Sequence, residues 1–317
     1  MIMRALITGI KGFVGRHLAQ LLLDKGYEVW GFTRMEAQDS VINNCNLVKV
    51  DYSNEQLLIN LFNDIRPDEI YHLAGQSSVK FSWSNHLDTF EGNALNTLRF
   101  LESLRKSSIC KEVRVLTIGS SEEYGGVGYS DLPISESVAL NPISPYGVSK
   151  ASVWLMAKQY SQAHGMRIVH ARPFNHIGPG QGQGFVTTDF ATQIVRIEKG
   201  EVDPIISVGN LEAKRDFSDV RDIAYAYTLL QRKGMPGQAY NVCSGIPVSI
   251  NTLLQTMIQL SKCTSICVEK DMSRLRPSDI PVYYGDPSNI SRTTGWQNKI
   301  TLNESLNDIL EFWRKKL

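Results

Sequence analysis

The sequence predicts an α/β protein: a doubly wound parallel sheet with a smaller mixed α/β cap built mainly from its C-terminal half. Three observations carry that expectation. Short β-branched runs at residues 4–9, 28–34, 47–51, 69–75, 114–120 and 167–173 alternate with stretches of helical periodicity, the pattern of βαβ units. Phe13, Val14, Leu18, Leu21 and Leu22 recur at helical spacing between the first two runs, and Gly26 stands where that helix should stop. From Pro173 onward glycine and proline punctuate the chain more often, which predicts loops, short strands and smaller helices. The expected division is a first domain of residues 1–172 and a second formed mainly by residues 173–317. Because VRDIAYAYTLLQRKG followed by YNVCSG again reads as helix then buried strand, the chain is expected to return to the first domain at about residues 217–245.

Composition narrows the function. A chain of 317 residues, 42% of them hydrophobic, can bury a large core. Its 33 Lys+Arg against 32 Asp+Glu leave a formal charge of +1, so neither nucleic acid nor an anionic membrane surface is an expected partner. An anionic ligand would need a local site. The N-terminal segment lacks a basic region and a cleavage site, and no stretch approaches the roughly 20 apolar residues of a membrane span, so a cytoplasmic protein is expected. Cys45, Cys110, Cys243, Cys263 and Cys267 are scattered and odd in number, which suits reduced thiols. Neither the Cys263/Cys267 pair nor the six histidines show a ligand spacing, and no metal is expected.

Thr8-Gly9-Ile10-Lys11-Gly12-Phe13-Val14-Gly15 follows the first predicted strand and opens the first helix, the context a Rossmann-type dinucleotide loop requires. Gly9 would permit the tight turn, Gly12 the approach of a pyrophosphate, and Gly15 the close packing of helix on strand, with the helix N-terminus facing the phosphates. The second strand ends at Arg34 without the acidic residue that usually meets an NAD ribose. A guanidinium there, with Lys11 as a second charge, favours the 2′-phosphate of NADP(H); a solvated surface arginine is the bland alternative. Asp51, with Tyr52 beside it, ends the third strand where it can accept from the adenine amino group. Leu73, Ala74 and Gly75 end the fourth, where small residues let the dinucleotide pass.

Tyr146 and Lys150 stand four residues apart, on one face of a helix beginning just after Pro145. A Tyr-x-x-x-Lys pattern alone means little; its position after the fifth strand, whose end reads Gly119-Ser120-Ser121-Glu122-Glu123, gives it weight. A carbonyl reduced by hydride needs a proton on the developing alkoxide and a donor that polarises it. Tyr146 fits the first role, its pKa expected to fall beside Lys150 and an oxidised nicotinamide. Ser120 fits the second, Lys150 would also hold the nicotinamide ribose, and Asn93 is expected to orient Lys150.

TGxxGxxG, LAG, the serine after strand five and YxxxK together resemble the extended short-chain dehydrogenase/reductases over nearly the whole chain. RPFNH at 172–176, GPGQ at 178–181, GNLEAKRDF at 209–217 and RPSD at 276–279 are similar to the GDP-sugar branch. The resemblance implies that Asn175, Arg215 and Arg276, with Asp279 in the last motif, bind the nucleotide diphosphate and ribose. It implies a GDP-linked 4-keto-6-deoxy sugar as substrate, reduced at C4, and a homodimer formed through the Tyr146 helix and a helix from about 86 to 106. Dehydratases of that branch carry Thr-x-Glu where this chain has Ser120-Ser121-Glu122, so Glu122 leaves a C5 proton-abstracting role open. Relatives that bind NADP without catalysis usually lose the Tyr or Lys, and this chain keeps both.

Overall fold

The computed structural model describes residues 2–34, 42, 44–263, 265–272 and 280–317. The apolar runs form β1 (Arg4–Thr8), β2 (Glu28–Thr33), β3 (Asn46–Lys49), β4 (Glu69–His72), β5 (Arg114–Ile118) and β6 (Arg167–Pro173). The later strands are β7 (Asn175–Ile177), β8 (Ile205–Val208), β9 (Lys214–Asp219), β10 (Ala239–Val242), β11 (Pro247–Ser249), β12 (Cys267–Lys270) and β13 (Val282–Tyr283). Strand β10 joins the first six in a seven-stranded sheet of order 10-6-5-4-1-2-3, with every neighbour parallel. Around β9 a second sheet gathers β7, β11 and β13, and β8 pairs with β12.

The helices are α1 (Phe13–Asp24), α2 (Glu55–Ile65), α3 (Val79–Ser82), α4 (His86–Phe90), α5 (Asn96–Lys106), α6 (Pro145–His164), α7 (Val186–Glu198), α8 (Val220–Lys233), α9 (Ile250–Gln259), α10 (Ser288–Thr294) and α11 (Leu302–Lys316). A π-turn, Glu91–Leu95, joins α4 to α5.

Both faces of the main sheet are covered, which is why β1 reads as an unbroken apolar run rather than an alternating one. Ala5 and Ile7 face a core shared with Leu18 and Leu22 of α1 and Ile223, Tyr227 and Leu230 of α8. Leu6 faces the opposite core, with Phe62 of α2, Phe100 and Leu104 of α5, and Ala157 of α6. The cap has its own core, where Phe190 and Ile194 of α7 meet Leu253 of α9 and Trp313 of α11.

Strand order reverses between the neighbours β1 and β4. There the outgoing loops part and leave a crevice at the carboxyl edge, where ligands bind in open α/β sheets.

Phe62 is fully buried, with its ring edge-on to Phe100 at 5.3 Å. Phe62→Ala is expected to lower the unfolding free energy by about 3–5 kcal/mol, read by urea denaturation.

Candidate active site

At the crevice, β1 delivers its loop against β4. Gly9 has φ +70°, and a Cβ on it would lie 2.9 Å from the Ala74 nitrogen. A Cβ on Gly15 would lie 2.5 Å from the Gly9 carbonyl oxygen, so α1 can start this close to β1 only without one. The Gly12 N–H donates to Gly9 O at 2.9 Å, and Gly12, the N-cap of α1, offers no side-chain acceptor to the first turn. An uncapped helix N-terminus beside a glycine-bounded loop is a cradle for a pyrophosphate, so the residues present fit a dinucleotide.

The other predicted cofactor residues surround that loop unequally. Phe13 stacks on His176, with ring centroids 6.1 Å apart, and Val14 packs against the α1 core. Lys11 follows the turn, and Arg34 is exposed immediately beyond β2. Asp51, two residues past β3, accepts from Ser53 N at 2.9 Å, which holds its carboxyl below the usual value. Tyr52 is placed differently: its ring lies in the second core, burial pushes its phenol up to about 12, and its hydroxyl lies near Thr8. It supports the loop from beneath. Leu73 packs against the first core, Ala74 N donates to Thr8 Oγ1 at 3.0 Å, and Gly75 precedes Gln76, whose N–H donates to Asn93 Oδ1 at 2.7 Å.

The catalytic candidates converge. Ser144 caps α6 by accepting from Gly147 N at 3.0 Å, and Pro145 occupies the first helical position, so Tyr146 and Lys150 sit one turn apart near the helix start. They are 8% and 7% exposed. The Tyr146 hydroxyl lies beside Ser120, and Lys150 Nζ lies 5.9 Å from the Tyr146 ring centroid. Lys150 donates to the Ile118 carbonyl at 2.9 Å, and burial lowers it to about 8. Asn93, expected to orient Lys150 through backbone or water, donates its Nδ2–H to Ser149 Oγ at 2.9 Å, on the residue before Lys150.

In the chain alone the Tyr146 pKa moves opposite to the fall expected beside Lys150 and an oxidised nicotinamide. Burial raises it, Glu122 and Glu123 add to the rise, and the Ser120 side chain offsets only part. In the protein itself the phenol is firmly protonated. Glu122 is half-buried in the turn after β5, with its carboxylate accepting from Ser144 Oγ at 3.4 Å.

Across the crevice, β7 pairs with β9, Asn175 standing opposite Phe217 and thus two positions along from Arg215. Asn175 is exposed, and Arg215 Nη1 donates to the Lys214 and Ile280 carbonyls at 2.8 and 2.7 Å. Arg276 and Asp279 lie outside the described residues. Sequence reasoning missed Tyr283, which pairs with Arg215 across β13 and β9 and donates to Ser121 O at 2.6 Å, tying the cap to the catalytic turn. It also missed His170, Arg172 and Glu123, a buried cluster whose only signal was the doubled glutamate of SSEEYG.

A dinucleotide cradle at the switch point and a buried Ser–Tyr–Lys set on the same edge define an extended short-chain dehydrogenase/reductase. The chain belongs to the GDP-mannose 4,6 dehydratase family, whose model matches residues 6–309. It is 33% identical over 317 residues to GDP-6-deoxy-D-mannose reductase of Pseudomonas aeruginosa, covering 100% of this chain and 99% of that protein. It is 28% identical over 338 residues to GDP-mannose 4,6 dehydratase of Cricetulus griseus, covering 97% and 90% respectively. Among solved structures, RMD from Pseudomonas aeruginosa complexed with NADPH superposes with TM-score 0.87 at 32% identity, over 99% of this chain and 100% of that one.

Lys150 has a folded-state pKa of about 8 against 10.5 for the ordinary side chain. Between those values the unfolded chain binds the extra proton, so this group's contribution to stability is present above pH 10.5 and lost as pH falls through 8. The stability of the wild type relative to Lys150→Met is expected to rise from pH 8 to 10.5 in paired denaturant titrations; a flat difference contradicts the burial of the ammonium.

Proposed function

We propose that the chain reduces the C4 keto group of GDP-4-keto-6-deoxy-D-mannose with NADPH, giving GDP-D-rhamnose. One observation carries this reading: the Ser120 hydroxyl meets the Tyr146 phenol beside the buried Lys150 ammonium, on the crevice faced by the Arg215 strand. NADPH, when bound, supplies the hydride. The phenol, kept protonated by burial, is the proton donor that the C4 oxygen requires, and Ser120 donates a second hydrogen bond to that oxygen. Lys150 is the residue for the cofactor ribose, the α1 N-terminus for the pyrophosphate, and Arg34 with Lys11 for the 2′-phosphate. Asn175 and Arg215, with Arg276 and Asp279 from the sequence alone, clamp the nucleotide diphosphate. The name of the Pseudomonas relative supports the sugar, and the NADPH in the matched structure supports the cofactor. Residues 173–317 form most of the sugar-nucleotide side of the cleft and residues 1–172 most of the cofactor side.

A second reading has its own support. Glu122 presents a carboxylate two residues from Ser120 in the same turn, where a dehydratase needs a base, and dehydratases are among the relatives. Keto-sugar formation from GDP-mannose would favour it. Absorbance loss at the NADPH band with the keto-sugar, and NMR of the product, test the reductase directly. Tyr146→Phe is expected to lower kcat by about 100-fold or more while NADPH still binds; unaltered turnover ends the assignment.

The working unit is a homodimer. Leu87 is 85% exposed and Leu155 on α6 is 59% exposed, with Trp83, Phe90 and Leu98 also in the open, so α4, α5 and α6 present an apolar face that a second copy would cover. The double change Leu87→Asp and Leu155→Asp should give a monomer in sedimentation; a monomeric wild type at micromolar concentration refutes the dimer. No described helix is long and apolar enough to cross a membrane. A cytosolic setting suits the five free cysteines.

A further inference from the structure

Behind the catalytic turn lies a charged cluster that the proposed reaction does not use. Glu123 is completely buried. Its Oε1 accepts from the Ser120 main-chain N–H at 2.9 Å and lies 3.0 Å from His170 Nε2, and its Oε2 accepts from Arg172 Nε at 2.7 Å. Arg172 also donates to the Tyr124 hydroxyl at 3.0 Å, which donates to Asn241 Oδ1 at 2.7 Å. Trp154 of α6 covers both partners, 5.2 Å from the His170 ring and 5.3 Å from the Arg172 guanidinium. The space exists because residue 119 is glycine: a Cβ there would overlap Glu123 Oε1 and His170 Nε2.

A buried carboxylate persists only when its charge is matched and its lone pairs are filled. Three donors do so here, and one of them is the amide of the catalytic serine. With His170 neutral through burial, Nε2–H donates to the carboxylate and Nδ1 accepts from Thr117 Oγ1 at 2.8 Å. Ser120 is the N-cap of the turn Ser121–Glu123; its Oγ accepts from Glu122 N at 3.2 Å while the Glu123 side chain closes the capping box from the other end. With both ends tied, the serine main chain keeps one direction, and that direction brings its hydroxyl to the Tyr146 phenol.

We infer that Glu123 is a positioning residue for the proposed reduction, on which the inference rests: clamped by Arg172 and His170, it holds the Ser120 main chain in register with Tyr146. The groups facing Tyr146 are Ser120, Glu122 and Glu123 from the turn, Lys150 from its own helix and Tyr227 from α8. Burial pushes the Glu123 carboxyl up, but His170, Arg172 and the Ser120 amide outweigh it and keep it ionised. That charge raises Tyr146 and Lys150 alike.

The test compares the wild type, Glu123→Gln, and a triple variant, Glu123→Leu with His170→Leu and Arg172→Met, whose apolar replacement of the cluster should preserve folding. Both variants are expected to bind NADPH normally and to keep KM for the keto-sugar, with kcat lower by about 100-fold, the cost of a misplaced catalytic group. The alkaline limb of kcat should move to lower pH, because removing the Glu123 charge eases ionisation of Tyr146. A folded triple variant with wild-type kcat and pH profile overturns the inference. Hydrogen exchange of the Ser120 amide is a readout independent of turnover: faster exchange in Glu123→Gln supports the clamp, and unchanged exchange overturns it. If the wild type itself leaves the keto-sugar unreduced, the reaction is wrong, and the exchange measurement alone decides the clamp.

Discussion

Between β1 and β4 two loops leave the sheet in opposite directions, and they leave in contact. Thr8 Oγ1 accepts the Ala74 N–H and lies 3.0 Å from His72 Nδ1. His72 Nε2 meets Thr97 Oγ1 at 3.0 Å, which donates to the Asn93 carbonyl at 2.6 Å, and the Asn93 side chain holds both Gln76 N and Ser149 Oγ. Ser149 in turn donates to the Tyr146 carbonyl at 2.7 Å. A continuous run of hydrogen bonds therefore joins the glycine loop to the helix that carries Tyr146 and Lys150. Burial lowers His72 to about 3, so the ring stays neutral and serves one hydroxyl as donor and the other as acceptor.

That scaffold buries two ionisable groups near the start of α6, with opposite consequences. The phenol of Tyr146 is pushed up and the ammonium of Lys150 is pushed down, because in each case the low-dielectric surroundings disfavour the charged form. The phenol thereby keeps the proton that the proposed reduction requires.

The cap is held to this site by an apolar cluster, in which Phe174 and Tyr283 pack with Tyr124 and Ile134, and by short, specific hydrogen bonds. Tyr283 donates to the Ser121 carbonyl, and buried Asp216 accepts from Ser244 N at 2.7 Å and Gly245 N at 2.9 Å, drawing the loop after β10 onto β9. Asp216 adjoins Arg215 in the chain, so the anchor and the arginine proposed for the diphosphate share one strand.

Local pattern determined much of this protein. The βαβ alternation, the glycine spacing after β1, the helix start at Pro145, and the Tyr146/Lys150 interval depend on neighbours a few residues apart, and each was legible without a structure. Tertiary structure alone decided the rest. Tyr52 follows a strand end as a surface residue would, but Phe62 and Phe100 enclose its side of the sheet and its ring joins that core. Of two adjacent glutamates, Glu122 lies at the crevice and Glu123 lies inside, because β6 brings His170 and Arg172, 47 and 49 residues further along, against the second and not the first. A one-dimensional pattern carries no charge partner at that separation, and a carboxylate can be buried only where the fold supplies one.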